Sequence, residues 1–216
     1  MNAMTRTQDA AQRAIDLCVA AVALILLSPV LLVVAVLVAV GLGRPVLFRQ
    51  PRPGRGGHAF TLVKFRTMRD VDERRGLISD ADRLTACGRL LRATSLDELP
   101  TMWNVLRGEM SLVGPRPLLM RYLDRYTPEQ ARRHQVRPGV TGLAQVRGRN
   151  ALSWEDKFAL DVWYVEHRSI ALNARIFAET ILTVLRRDGI AAAGDVTMPE
   201  FMGTAARAGR HRMSNA

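Results

Sequence analysis

The chain has 216 residues, with 31 Lys and Arg against 20 Asp and Glu, a formal net charge of +11, and 48% hydrophobic residues. That length supports one domain with a sizeable core plus appendages. Only Lys64 and Lys157 are lysines, so the excess charge is arginine, whose planar fork suits phosphates and anionic lipid headgroups. The arginines are scattered among Gly-Pro turns and acidic residues, without a basic helical stripe or interleaved aromatics, which argues against nucleic acid as a partner.

Two distant cysteines, Cys18 and Cys87, and four lone histidines leave no disulfide framework and no zinc spacing, as suits a reducing compartment. Residues 1–12 are polar and expected to fray. Residues 17–43 carry no charge. As one straight helix they would measure about 40 Å, more than the roughly 30 Å hydrocarbon core of a bilayer. Ser28-Pro29 stands near the middle, and Pro29 deletes the helical hydrogen bond to the Ile25 carbonyl, so a kink is expected there. Each arm, about 11–14 residues, is too short to span. Arg6 and Arg13 precede the run, and Arg44, Arg49, Arg52 and Arg55 follow it. Positive flanks stay cytosolic, which favours both ends on one side, a re-entrant hairpin. From these residues alone, a spanning helix with a proline kink is equally compatible. The run is too long for a signal peptide.

Val46-Leu47-Phe48 and Phe60-Thr61-Leu62-Val63 read as two short strands around a Pro- and Gly-rich turn, with Lys64-Phe65-Arg66-Thr67 directly after. A helix is expected over 81–92, its apolar face formed by Leu84, Cys87 and Leu91, with Arg92 near the next motif.

That motif is Ser95 to Pro117. Leu99, Met102, Trp103 and Leu106 recur at helical spacing, and Gly108 sits where a C-terminal cap belongs. Pro100 is tolerated only in a first turn, which favours Asp97 as N-cap and Glu98 as the first helical residue. In a rival register Ser95 is the cap and Glu98 its capping-box partner. Either way the acidic pair lies at a helix N-terminus with Arg92, Arg107 and Arg116 on its flanks, an arrangement suited to phosphoryl chemistry. An isolated Asp-Glu pair more often serves only as a cap and a surface residue, so these neighbouring arginines carry the functional reading.

The stretch from Leu118 to Tyr126 has an amphipathic pattern that fits either a membrane-surface helix or a core-facing one. Thr127-Pro128-Glu129-Gln130 is a helix start with a capping box. Arg137-Pro138-Gly139-Val140-Thr141-Gly142 and Gln145-Val146-Arg147-Gly148-Arg149-Asn150 combine glycines with arginines suited to a nucleotide diphosphate. No Walker A or Gly-x-Gly-x-x-Gly loop occurs, which disfavours ordinary kinases and Rossmann enzymes. Ser153 caps a helix to about His167, and a second amphipathic helix covers 170–187. Past Asp188 few large apolar residues remain, so a mobile tail is expected.

The blocks Ser95-Leu96-Asp97-Glu98-Leu99-Pro100, Trp103-Asn104-Val105-Leu106 and Met110-Ser111-Leu112-Val113-Gly114-Pro115-Arg116-Pro117 resemble the bacterial sugar transferase family, the monotopic polyprenyl-phosphate phosphoglycosyl transferases, in its small form that is a catalytic domain alone. Phe48-Arg49-Gln50, Lys64-Phe65-Arg66-Thr67-Met68 and Arg137-Pro138-Gly139-Val140-Thr141-Gly142 agree in order, so the resemblance covers roughly residues 12–187.

The resemblance implies a fold that is mainly α with a short β-hairpin (α+β), monotopic, with a re-entrant helix broken at Ser28-Pro29 and surface amphipathic helices. On that pattern, a flexible N-terminus at 1–12 precedes the re-entrant helix at 13–43, a cytosolic catalytic domain at 44–187 and a mobile basic tail at 188–216. The implied location is the inner (cytoplasmic) membrane with the domain on its cytosolic face. The implied reaction moves a sugar 1-phosphate from a UDP-sugar to polyprenyl (undecaprenyl) phosphate and releases UMP. By carry-over Asp97 is the nucleophile that forms an aspartyl phosphosugar, and Glu98 holds Mg²⁺ or Mn²⁺. Arg92 and Arg116 clamp phosphate, and Lys64 and Arg66 sit in the family's KFRTM block. Arg137, Arg147 and Arg149 are further phosphate-binding candidates. Two departures stand out: Thr101 replaces a common glutamine, and Asn173 stands where an acidic residue is usual, leaving Asp161 as a substitute metal ligand. A single-displacement transferase and a non-catalytic membrane scaffold are the competing classes. Membrane lipids are expected partners, and a homodimer is compatible with all of this.

Overall fold

The computed structural model describes residues 3–148, 152–186 and 200–203. Helix α1 runs from Ala3 to Leu26 and α2 from Ser28 to Leu42. The expected frayed N-terminus is therefore helical from Ala3 onward. Polar residues on its first turns are tied to the domain: Arg168 pairs with Asp9, and Asn173 donates to Gln12 at 2.7 Å.

The axes of the two helices differ by 63°. The cause is local. Pro29 has no N–H to offer Ile25, and the Ser28 hydroxyl donates to the Ile25 carbonyl instead, at 2.8 Å. No single helix among the described residues is long and apolar enough to cross a membrane, although this bent pair passes the same test jointly. Ala20, Val34 and Val38 face the protein, whereas Ile25, Leu32 and Val40 are 71%, 66% and 83% exposed. The pair thus presents a broad apolar surface outward.

Strands β1 (Leu47–Pro53) and β2 (Ala59–Phe65) form an antiparallel hairpin, longer than the predicted strands, with Leu47 opposite Phe65 and Pro53 opposite Ala59. Phe48, Gln50 and Arg52 fall opposite Lys64, Leu62 and Phe60, so all six share one face. The helix expected over 81–92 divides into α3 (Asp80–Arg83) and α4 (Ala86–Ala93). Thr85 breaks it by turning its hydroxyl to accept from the Gly88 N–H at 3.0 Å, an N-cap that starts α4 afresh.

The acidic motif takes neither predicted register whole: Ser95 stands at an N-cap, as in the rival register, but its side chain makes no capping bond. Leu96–Glu98 is a 3₁₀ turn, and α5 spans Thr101–Leu106 with Pro100 at its N-cap. Pro100 cannot donate to Leu96, so the Leu99 N–H takes that carbonyl at 3.3 Å and the chain stays in tight i→i+3 bonding up to the helix. Gly108 has φ +79° and donates to Val105, closing α5 as expected.

Strand β3 (Ser111–Val113) pairs in parallel with β4 (Gly139–Thr141). A Cβ on Gly139 would stand 2.0 Å from the Gly114 nitrogen, so only glycine permits this approach. Between them, α6 (Pro128–Ala131) starts with the predicted Thr127–Gln130 capping box. The stretch before it is 3₁₀ from Met120 to Arg125, not an α-helix, and it faces the core with Tyr122 only 5% exposed.

Helices α7 (Leu143–Arg147), α8 (Trp154–His167, capped by Ser153) and α9 (Ile170–Arg186) complete the domain. The expectation of a mobile tail is corrected at residues 200–203. Phe201 is 3% exposed and packs on Tyr122, Phe158 and Trp154. One large aromatic, with Glu200 paired to Arg121 and Arg125, docks a segment that is otherwise poor in apolar residues.

Candidate functional site

Hairpin and α5 meet along the free edge of β2. The Asn104 amide, 1% exposed, accepts from Val63 N–H at 3.1 Å and donates to the Thr61 carbonyl at 2.7 Å, as a neighbouring strand would. Thr101 adds a bond from its hydroxyl to the Val63 carbonyl, 3.1 Å. The Thr101 departure from the family's glutamine therefore has a structural use. These bonds set the turn carrying Asp97 and Glu98 beside Lys64 at the end of β2.

From the other side α4 brings Arg92. A Cβ on Gly88 would lie 1.9 Å from the Thr67 carbonyl, so α4 lies directly against the strand exit. The Arg92 Nε then donates to the Thr67 hydroxyl at 3.0 Å. Ser95, at φ +56°, turns the chain sharply from α4 into the acidic pair, in a left-handed conformation uncommon for serine.

Arg116 closes the group and donates to Glu98 at 2.8 Å. Behind it, Arg133 Nη2 donates to the Arg116 carbonyl (2.8 Å) and to Asp161 (2.7 Å), with both Arg133 and Asp161 buried. The rings of Tyr126 and Phe158 flank that guanidinium. Asp161 thus has an arginine as its partner and supports the Arg116 backbone, which corrects its assignment as a metal ligand. Asn173 likewise serves packing: its Oδ1 lies 2.7 Å from the Tyr164 hydroxyl.

Of the predicted cations, Lys64, Arg92 and Arg116 surround the acidic pair. Arg66 does not join them. It donates to the carbonyls of Leu42 and Gly43, where a cation neutralises the exposed carbonyl end of α2. Arg137 lies at the opposite end of α5, donating to Gly108 at 2.8 Å, and Arg147 is exposed at the end of α7. Arg149 lies outside the described residues. A cation not singled out beforehand, Arg52, stands on the Lys64 face of the hairpin and donates to the Pro117 carbonyl (3.3 Å) and to Gln50 (2.6 Å). Burial and then Arg116 push its guanidinium down to about 10. Strand alternation with Lys64 was the available signal.

The electrostatics separate the two carboxylates. Burial, then the neighbouring Glu98, push the Asp97 carboxyl up to about 6, against the pull of Lys64, Arg92 and Arg116. Burial also acts to raise Glu98, but Arg116 and Lys64 outweigh it and hold this carboxyl below its ordinary value. Glu98 is therefore a fixed anion, while Asp97 is a carboxylate of raised basicity in a largely dry setting. Such a group is a better nucleophile than a solvated aspartate, yet about 90% ionised at pH 7 with a pKa near 6. By NMR of ¹³C-aspartate-labelled protein, Asp97 should titrate near pH 6. Lys64→Gln removes a cation and should move that midpoint up, whereas Glu98→Gln removes an anion and should move it down. Opposite displacements would break the assignment.

A profile of the family described as bacterial sugar transferase matches residues 7–187. The chain is 50% identical over 194 residues to "Uncharacterized sugar transferase EpsL" of Bacillus subtilis, covering 89% of this chain and 96% of that one. It is 40% identical over 191 residues to a UDP-glucose:undecaprenyl-phosphate glucose-1-phosphate transferase of Caulobacter vibrioides, covering 83% and 72% respectively. It is 35% identical over 206 residues to an undecaprenyl-phosphate galactose phosphotransferase of Salmonella typhimurium, covering 87% of this chain but 43% of that one. With the acidic pair, its three cations and this extent of similarity in hand, the chain belongs to the bacterial sugar transferase family.

Proposed function

We propose that this protein is a phosphoglycosyl transferase that moves a sugar 1-phosphate from a UDP-sugar to undecaprenyl phosphate in two steps through Asp97. The observation that carries the reading is the pair of a buried Asp97 and a half-buried Glu98, ringed by Lys64, Arg92 and Arg116. In the first step an Asp97 carboxylate oxygen attacks the β-phosphorus of the donor. The bridging P–O bond breaks, and UMP leaves with the bridging oxygen. In the second, a phosphate oxygen of the lipid attacks the same phosphorus and frees the Asp97 carboxylate. Lys64 and Arg92 offset the repulsion between Asp97 and the incoming diphosphate, and Arg116 holds Glu98 until substrate arrives. The relatives' names carry glucose in one case and galactose in another, and the reading commits to the reaction, not the sugar.

The donor set here, two adjacent carboxylates with one engaged by an arginine, fits a divalent ion that takes most of its ligands from a diphosphate and water. Glu98 would hold it, and Mg²⁺ would supply charge neutralisation on the diphosphate. Incubated with a panel of UDP-sugars and no acceptor, the protein should release about one UMP per site from its own donor. Asp97→Asn should release none, and Glu98→Gln should need more Mg²⁺ for the same burst. Full turnover by Asp97→Asn with acceptor would favour single displacement and overturn the two-step scheme.

The same proposal places the protein in the cytoplasmic membrane, with α1 and α2 entering and leaving on the cytosolic side. Support comes from the 63° bend and from the short apolar arms: α2, 15 residues, reaches only about 22 Å at 1.5 Å per residue, and the charge-free part of α1, from Leu17 to Leu26, only about 15 Å. Thr5→Cys and Arg55→Cys, each in a Cys18→Ala, Cys87→Ala background, would be probed with an impermeant thiol reagent in intact spheroplasts. Both should be protected. Replacing Ser28 and Pro29 with leucine should straighten the pair and expose one of them. Labelling of the two sites on opposite sides in the native sequence would mean that the pair spans.

A further inference from the structure

A second cationic cleft lies away from Asp97. Its walls are the polar start of α1, the first residues of β3, the entry to β4 and the turn between α8 and α9. Arg13, Arg55, Arg137 and Arg168 line it, together with Asp9, Asp16 and Ser111. The cavity volume is about 50 Å³, where a single water needs about 10–15 Å³ on the same measure. It is open to something of three to five heavy atoms.

Both carboxylates are already engaged. Asp9 pairs with Arg168, and Asp16 accepts from the Leu112 N–H (3.1 Å) and from Gln12 (2.9 Å). Arg13 spends its terminal nitrogens on the carbonyls of Val105 and Leu106, and Arg137 its Nε on Gly108. Among the described residues, Arg55 and the two terminal nitrogens of Arg137 have no protein partner. Burial, then Arg13 and Arg55, depress the Arg137 guanidinium below its ordinary value and outweigh the opposing pull of Asp16 and Asp9.

Ser111 points to what is missing. It is 4% exposed, lines the cleft, and its hydroxyl is buried without a hydrogen-bond partner among the described residues. Buried hydroxyls are normally satisfied, so one left open beside unpaired guanidiniums calls for an acceptor. A metal cation is repelled there. A tetrahedral oxyanion matches the room, the charge and the fork of an arginine.

We propose that this cleft is an anion site, separate from the Asp97 centre, which takes a phosphate group on Arg55, Arg137 and Ser111. Ser111 opens β3, and Arg116 follows five residues on, beyond the Gly114-Pro115 bend and at most about 18 Å away; the two sites share no side chain. The phosphate could belong to a free ion or to an acidic lipid headgroup, since Arg13 stands one turn before the charge-free run that begins at Leu17.

The test uses full-length Arg116→Gln protein in uncharged detergent, so that phosphate binding at the Asp97 centre is weakened. Thermal unfolding is followed with inorganic phosphate, with short-chain phosphatidylglycerol, and with short-chain phosphatidylcholine, all at matched ionic strength. Tm should rise with phosphate, with phosphatidylglycerol, or with both. Adding Arg55→Gln or Ser111→Ala should cut that rise by about half or more. A rise with phosphate alone assigns a free ion, and one with phosphatidylglycerol alone assigns a lipid headgroup. Without ligand, Ser111→Ala should be at least as stable as its parent, because it removes an unsatisfied hydroxyl. No rise with either ligand, or a rise indifferent to Arg55 and Ser111, overturns the proposal.

Discussion

A two-stranded hairpin leaves one edge of each strand unpaired, and the architecture around Asp97 follows from how β2 resolves that constraint. Asn104 and Thr101 stand in for a third strand, and Asn104 is itself held by Glu109 at 2.7 Å. Helix α5 therefore docks in one register against the strand, and the turn before it cannot slide. Lys64 and the acidic pair meet because both are measured from the same few backbone hydrogen bonds.

That placement makes the charge arrangement useful. A carboxylate in a dry site is costly, and three cations lower the cost without closing onto Asp97 itself. Arg116 is bonded to Glu98, Arg92 to Thr67, and Asp97 has no hydrogen bond from either. The pair is thus divided into a held anion and an available one. Arg133, clamped by Asp161, fixes the carbonyl of Arg116 from behind, so the geometry of the site extends well into the aromatic cluster around Phe158 and Phe201.

Much of this could be read from the residues. Ser28-Pro29 announced the bend, because Pro29 must leave the Ile25 carbonyl without its helical donor. The Thr127–Gln130 capping box and the termini of α8 were equally local. The register of the acidic pair was not readable, because a proline at the helix start admits several solutions and tertiary docking by Asn104 chose among them. Arg66 and Asp161 were misplaced for a related reason. Their motifs report proximity along the chain, while the carbonyl end of α2 and the buried Arg133 that claim them come from distant segments. Phe201 escaped notice because composition averages over a stretch in which one buried ring and one paired carboxylate, Glu200, do the docking.

The proposed two-step reaction turns on one oxygen of Asp97 becoming bonded to phosphorus. The direct measurement is mass spectrometry of acid-quenched, protease-digested protein after brief exposure to its UDP-sugar. A sugar-phosphate mass should appear on the peptide containing Asp97 and disappear on hydroxylamine treatment, as an acyl phosphate must. The same mass on another residue, or none on any peptide while product forms, would contradict the role assigned to Asp97.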